Sequence, residues 1–370
     1  MESDEAAGDW VDVGAADAVP DGAVRELLLG RAKIAVSRKG EQWGAVSGVC
    51  NHAAGPLGQG HLDDEFIVCP WHYWKFHWQT GSGEPGYEND RVPSHAIRIE
   101  AGRILVQREP LTARGRLPHP PHPLARPPVR SAGPIRVLGL STTAMTAARP
   151  RYSTSEDLLQ HALASAAEEH QCETRLLRIR ELAFRECEGF YSKSARACTW
   201  PCSITQMDSK DQMEQVYEGI VHWADVILVA TPIRWGAASS LYSKMVERMN
   251  CIQNQETLAG KHLLKNKVAA FIITGGQDNV QAVAGHMLTF FGEIGCQFPQ
   301  FPFIAHSRGW SAEDMENNQK SVQNSRTLHA GAAALARRSV EMAQVMITGA
   351  LGADALVPGG RKAQGERGES

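Results

Sequence analysis

Over the first hundred or so residues, apolar positions come in short runs broken by glycine, proline and aspartate. Residues 34–37, 43–49, 66–68 and 104–107 are runs of this kind, and nothing around them repeats with a helical period. The pattern predicts a small all-β domain of short strands joined by turns. From residue 135 the pattern changes. Residues 136–140, 174–179, 226–230, 268–274 and 298–304 read as strands. Between and after them, residues 156–170, 211–224, 239–251, 280–294 and 316–346 read as helices. In the first of these, Leu158, Leu159, Ala162, Leu163 and Ala166 share one face. Five strands alternating with helices predict an α/β doubly wound domain with a five-stranded parallel sheet, its ligands beyond the carboxyl ends of the strands.

Proline marks the division between the two patterns. Eight of the chain's 19 prolines lie within residues 110–134, where Arg114, Arg116, Arg126 and Arg130 have no acid among them. Proline lacks an N–H and fixes φ, so this stretch is expected to be a semi-extended linker. The expected organisation is a β domain over 1–108, a linker over 109–134, an α/β domain over 135–350 and a disordered tail over 351–370, where apolar periodicity is lost. A net charge of −3 argues against an electrostatic nucleic-acid binder. No apolar run approaches the 18 or so residues of a membrane helix. The acidic start, Met1-Glu2-Ser3-Asp4-Glu5, is unlike a secretory signal, so a cytoplasmic protein is expected. Its eight cysteines then read as metal ligands or reduced thiols rather than a disulfide framework.

Two of them belong to the sharpest motif in the chain. Cys50-Asn51-His52 is followed after 16 residues by Cys69-Pro70-Trp71-His72. Two thiolates and two imidazoles suit either zinc or an iron–sulfur centre. The spacing, with Trp74, Phe76 and Thr80-Gly81 downstream, resembles a Rieske [2Fe-2S] domain over roughly residues 10–108. The resemblance implies that Cys50 and Cys69 hold one iron and His52 and His72 the other. It also implies a ferredoxin or oxygenase type, because neither loop carries the extra cysteine of the respiratory Rieske proteins. Tyr73 stands where the family commonly has glycine. A Rieske oxygenase would need a mononuclear iron held by two histidines and a carboxylate, and no D/E-x2-H-x4-H arrangement follows residue 110.

The second domain has neither G-x-G-x-x-G nor G-x4-G-K-[ST]. Its first βα turn runs from Ser141 to a hydroxyl cluster, Ser153, Thr154 and Ser155, with Ser153 and Glu156 spaced as a capping box. A helix amino terminus of this kind suits a phosphomonoester. The next turn reads Thr231-Pro232-Ile233-Arg234-Trp235-Gly236, and the third begins Thr274-Gly275-Gly276. These turns resemble the flavodoxin-like NAD(P)H-dependent FMN reductases, including their iron–sulfur flavoprotein branch. The resemblance implies FMN as cofactor and NAD(P)H as donor. It places the phosphate at Ser141, Ser153, Thr154 and Ser155, and the flavin ring between 231–236 and 274–276. Trp235 reads equally as a flavin neighbour or a core aromatic. The second four-cysteine cluster of that branch is expected to be absent. Phe190 stands at the position of one ligand, and only Cys187, Cys198 and Cys202 are nearby.

Together the two resemblances imply an oxidoreductase in which electrons pass from NAD(P)H to FMN, to the [2Fe-2S] centre, and on to an acceptor such as an oxygenase partner. Hydride transfer requires no side-chain acid or base, so no catalytic residue is named. Two other readings stand beside this one. The Rieske centre could admit electrons to a flavin that reduces a quinone or nitro compound, or the chain could be a non-enzymatic redox sensor. The family implies a dimer or tetramer.

Overall fold

The computed structural model describes residues 9–349 apart from 118–119, 147, 193–196, 209, 276–278 and 310. Gly276 and the expected tail over 351–370 lie outside the described residues. The chain forms two units: residues up to His122 with Gly189–Cys198, and Pro123–Glu188 with residues from Thr199 onward.

In the first unit, residues with period-2 alternation pair into a six-stranded antiparallel sheet. Its strands are β1 (Trp10–Ala15), β2 (Val24–Leu29), β3 (Ala32–Lys39), β4 (Gln42–Ser47), β8 (Ser94–Glu100) and β9 (Arg103–Pro110), in the order β1-β9-β8-β4-β3-β2. A smaller sheet joins β5 (His61–Asp63), β6 (Phe66–Val68) and β7 (Lys75–His77). Successive side chains along a strand point to opposite faces, and both faces of the large sheet are buried. Ile34, Val36, Ala45, Ile104 and Val106 form one core. Ala35 and Val46 join Cys50, Cys69, Phe76 and Trp78 in the other. Strands β1, β2, β5, β7 and β8 have no counterpart among the apolar runs. Some are only three residues long, and others, such as Ser94–Glu100, interleave charges with few apolar positions.

The proline-rich stretch is not a uniform linker. Strand β9 extends to Pro110, and Gly115 forms a two-way backbone bridge with Arg91. In the second unit, Arg126 pairs with Glu218, and Leu124 O accepts from Trp200 Nε1 and His222 Nε2. Proline prevents ladder pairing, but its arginines and carbonyls still find partners.

The second unit is built on β10 (Arg136–Ser141), β11 (Glu173–Arg178), β12 (Val226–Arg234), β14 (Val268–Gly275) and β15 (Phe303–Ser307), all parallel, in the order β11-β10-β12-β14-β15. A two-residue β13 (Ala237–Ala238) folds back on β12. This five-stranded α/β domain after a small β domain is the expected fold class. Helix α1 (Thr154–His170) and the closing helix α8 (Arg326–Ile347) cover one face, packing on Val137, Leu228, Ala230, Ala270 and Ile272. Gly139 permits this approach, since a Cβ there would meet Leu163 Cδ1 at 2.7 Å. On the other face Phe271 meets Phe291 of α6 (Val280–Glu293) at 5.4 Å between ring centres.

Several elements differ from their expected bounds. The helix expected at 211–224 is α3 (Met213–Tyr217), which widens into a π turn over Glu218–Trp223. It follows a short α2 (Ser203–Met207). The helix expected at 239–251 is α4 (Ser240–Arg248) followed by α5 (Asn250–Ala259). The last strand begins at Phe303 rather than 298. The expected long closing helix is two, α7 (Ala312–Gln323) and α8, because Asn324 ends the first and Ser325 caps the second through Leu328 N–H.

Candidate redox sites

Each loop of the Cys/His motif closes on itself. Cys50 N–H donates to Gly55 O at 2.9 Å, and Cys69 N–H donates to Trp74 O at 2.8 Å. Cys50, Cys69 and His72 are buried and His52 is exposed. The two imidazoles stand edge to face with centres 4.4 Å apart, and His52 stacks on Trp74 at 4.5 Å. Gly55 leaves room for the sulfur, since a Cβ there would lie 2.7 Å from Cys69 Sγ. The hydrogen bond that the Cys50 thiol donates to the Cys69 sulfur, and burial after it, push the Cys50 thiol well above its ordinary range. Two adjoining buried thiols of this kind become thiolates only when cations neutralise them. Among the described residues no three His, Cys, Asp or Glu side chains gather as they would on a single metal ion. A binuclear cluster asks less, two protein ligands per iron, with sulfides completing each coordination shell. The four side chains fit that demand.

Two neighbours shape this motif. Asn51, between two of its residues, is buried, and its amide donates to Asp90 Oδ1 and Gly115 O, both at 2.7 Å. Its oxygen accepts from Arg114, which also donates to Val49 O and Ser47 Oγ. The sequence reading missed Arg114 because a basic residue in a proline run looks solvated. Tyr73 has φ +60°, the left-handed region where glycine is favoured, which accounts physically for the glycine common at that position.

In the second unit, the turns after β10, β12 and β14 open on one cleft beyond the strands' carboxyl ends. Ser153, Thr154, Pro232, Arg234, Thr274 and Gly275, all named above as expected FMN contacts, line it. Ser153 caps α1, accepting from Glu156 N–H and donating to Thr143 Oγ1. Thr154 and Thr274 join hydroxyls at 2.6 Å, tying the first turn to the third.

Other expected residues stand apart from the cleft. Ser141 is fully buried and donates to Glu156 Oε2 at 2.6 Å. Arg178 takes Oε1 of the same carboxylate, so Glu156 does not complete a capping box. Ser155 and Ile233 are buried. Thr231 is committed to Pro232 O and Ser239 N–H. Trp235 is neither core nor lining; it is 93% exposed with φ +51°, and Gly236 follows at φ +74°.

The structure adds Thr143, Met145, Tyr152, Asn318 and Gln319 to the lining. Asn318 donates to Gly275 O, while its Oδ1 is buried without a hydrogen-bond partner among the described residues. An orphaned acceptor beside a hydroxyl-rich helix start and Arg234 fits a ligand with an N–H edge and a phosphate, as FMN has. The signal for Asn318 was the polar run Asn317-Asn318-Gln319, concealed by reading α7 and α8 as one helix.

Comparison with known proteins bears on both halves. The Rieske [2Fe-2S] domain family matches residues 9–96, and the NADPH-dependent FMN reductase family matches residues 142–310. The ferredoxin component of the alkene monooxygenase system of Xanthobacter autotrophicus is 31% identical over 109 residues, 29% of this chain and 88% of that protein. The 8-demethyl-8-aminoriboflavin-5'-phosphate synthase of Streptomyces davaonensis is 30% identical over 76 residues, 20% of this chain and 30% of that protein. The crystal structure of RosB with bound 8-demethyl-8-formylriboflavin-5'-phosphate is 20% identical, with a TM-score of 0.48 and coverage of 64% of this chain and 88% of that one. The chain therefore belongs to the Rieske [2Fe-2S] family through residues 9–96 and, with its FMN reductase domain over residues 142–310, is a flavin-dependent oxidoreductase whose redox groups are a [2Fe-2S] cluster, FMN and NAD(P)H.

Proposed function

We propose that the protein passes electrons from NAD(P)H through FMN to its Rieske centre and on to a one-electron acceptor, an oxygenase component being the class that fits best. The observation that carries this reading is the presence of both redox domains in one chain. FMN supplies the conversion from a two-electron donor to a one-electron carrier, which the cluster then provides. The residues divide that work. Ser153 and Thr154, at the start of α1, would hold the phosphate, while Pro232, Arg234, Thr274 and Gly275 would border the ring. Asn318 Oδ1 would accept from the ring's N–H edge. Cys50 and Cys69, both buried, would hold one iron, and His72 and the exposed His52 would hold the other. A ferredoxin of an alkene monooxygenase system among the relatives supports an oxygenase acceptor.

Anaerobic stopped-flow mixing with NADH or NADPH tests the order. Flavin bleaching should precede cluster bleaching, and added cytochrome c should then be reduced one electron at a time. Failure of both nucleotides to reduce the flavin, or cluster bleaching ahead of the flavin, would overturn this direction of flow.

A further inference from the structure

The flavin unit has a second cavity, of about 430 Å³, at the amino-terminal edge of its sheet, opposite the cleft. Asp225 and Lys267, which immediately precede β12 and β14, form its floor, and Pro128–Arg130 of the proline-rich stretch forms one wall. Val129, Trp223, Leu263 and Ile347 make its apolar side. The polar side carries Arg130, Lys265 and Lys267 against a single carboxylate.

That carboxylate is already spent. Asp225 Oδ1 accepts from Arg130 Nε at 2.9 Å, and Oδ2 accepts from Arg130 Nη2 at 3.2 Å and Arg136 N–H at 3.0 Å. Among the described residues neither Lys265 nor Lys267 has a carboxylate within ion-pair distance. Lys267 is 9% exposed, and its ammonium donates one hydrogen to Ala224 O at 2.5 Å. An ammonium has three donors, so the buried cation has capacity that no described acid uses. Its burial pushes the Lys267 pKa down to about 8. A bound anion would offset that cost. A hydrophilic polyanion would lose solvation against the apolar side, whereas an anionic head on an apolar body satisfies both.

We propose that this cavity binds a small organic carboxylate with an apolar body, its head on Lys267 and Lys265 and its body against Trp223, Leu263 and Ile347. Binding also holds Pro128–Arg130 against the sheet edge. Lys267 faces Asp225 and Cys296, which favour its charge, and Arg130 and Arg136, which oppose it. His222 and His262 also line the cavity, and burial pushes His222 below its ordinary range. Charge on Lys267 is lost as pH rises through about 8, so affinity should fall about tenfold between pH 7 and 9.

Calorimetric titration of the FMN- and cluster-loaded protein with benzoate, and with benzyl alcohol as the neutral counterpart, tests the site. Benzoate should saturate one site per chain and slow tryptic cleavage after Arg130, and benzyl alcohol should do neither. Lys267→Met should weaken benzoate at least tenfold and remove the pH dependence, with flavin and cluster spectra unchanged. Should that variant not fold, Lys265→Glu on the exposed rim should weaken benzoate severalfold. The proposal is overturned by no saturation up to about 10 mM, by unchanged affinity in the folded variants, or by equal binding of benzyl alcohol. Failure of NAD(P)H to reduce the flavin would leave these outcomes unaffected.

Discussion

At the scale of the residue, the eight cysteines fall into three chemical groups. Cys50 and Cys69 sit side by side in the first unit. Cys172, Cys251 and Cys296 are buried, and burial pushes the thiol of Cys172 up to about 11 and that of Cys296 up to about 12. Cys187, Cys198 and Cys202 are half-buried. Alkylation proceeds through the thiolate. At pH 8 only about one Cys172 in a thousand, and one Cys296 in ten thousand, is ionised, and both fractions grow as pH rises toward those values. Iodoacetamide at pH 8 should therefore label Cys187, Cys198 and Cys202 first, with Cys172 and Cys296 labelled only on unfolding. Peptide mass spectrometry after timed quenching reads this directly. Early labelling of Cys296 would show that its surroundings open in solution.

At the scale of the element, a buried ion pair holds an irregular excursion to the flavin domain. Arg248, at the end of α4, and Asp211, before α3, are both inaccessible and pair at 2.8 Å. Arg248 also donates to Thr205 Oγ1 of α2 and to Arg185 O. Removing one partner leaves the other charge buried and alone, at a cost of about 3–5 kcal/mol. Arg248→Met should lower the unfolding free energy of the flavin domain by that amount in urea titration, and Arg248→Met with Asp211→Leu should recover much of it. A small loss in the single variant would mean that water reaches Asp211.

Nothing in the sequence distinguishes Arg248 from a surface charge on α4, because the partners that bury it are nonlocal. The same limit explains the boundary errors. Residues 211–224 carry a helical pattern, but the backbone widens around Gly219, whose Cβ would meet Leu138 Cδ2 at 3.0 Å. By contrast, the five strands and α1 were legible because their apolar periods are long and their packing partners repeat. The Cys/His motif was legible because its chemistry sits in two short stretches. Ser141, read as a phosphate ligand, has a hydroxyl that faces Glu156, which only the placement of α1 reveals.

At the scale of the whole molecule, the chain joins two units with separate cores and separate cofactor chemistry. Cys50→Ser should therefore abolish the Rieske signal in electron paramagnetic resonance while the purified protein keeps its flavin absorbance. Loss of both together would mean that the units fold as one. Among the described residues no helix is long and apolar enough to cross a membrane.

Trp235 gives this molecule a built-in optical reporter. An indole 93% exposed to water emits at the red edge of the tryptophan band, apart from buried Trp78. Flavin absorbs in the neighbouring spectral region, and Trp235 lies in the turn that borders the cleft. Dimming of the red-edge emission on addition of FMN, and its loss in Trp235→Phe, would make that emission a gauge of cleft occupancy with no label attached.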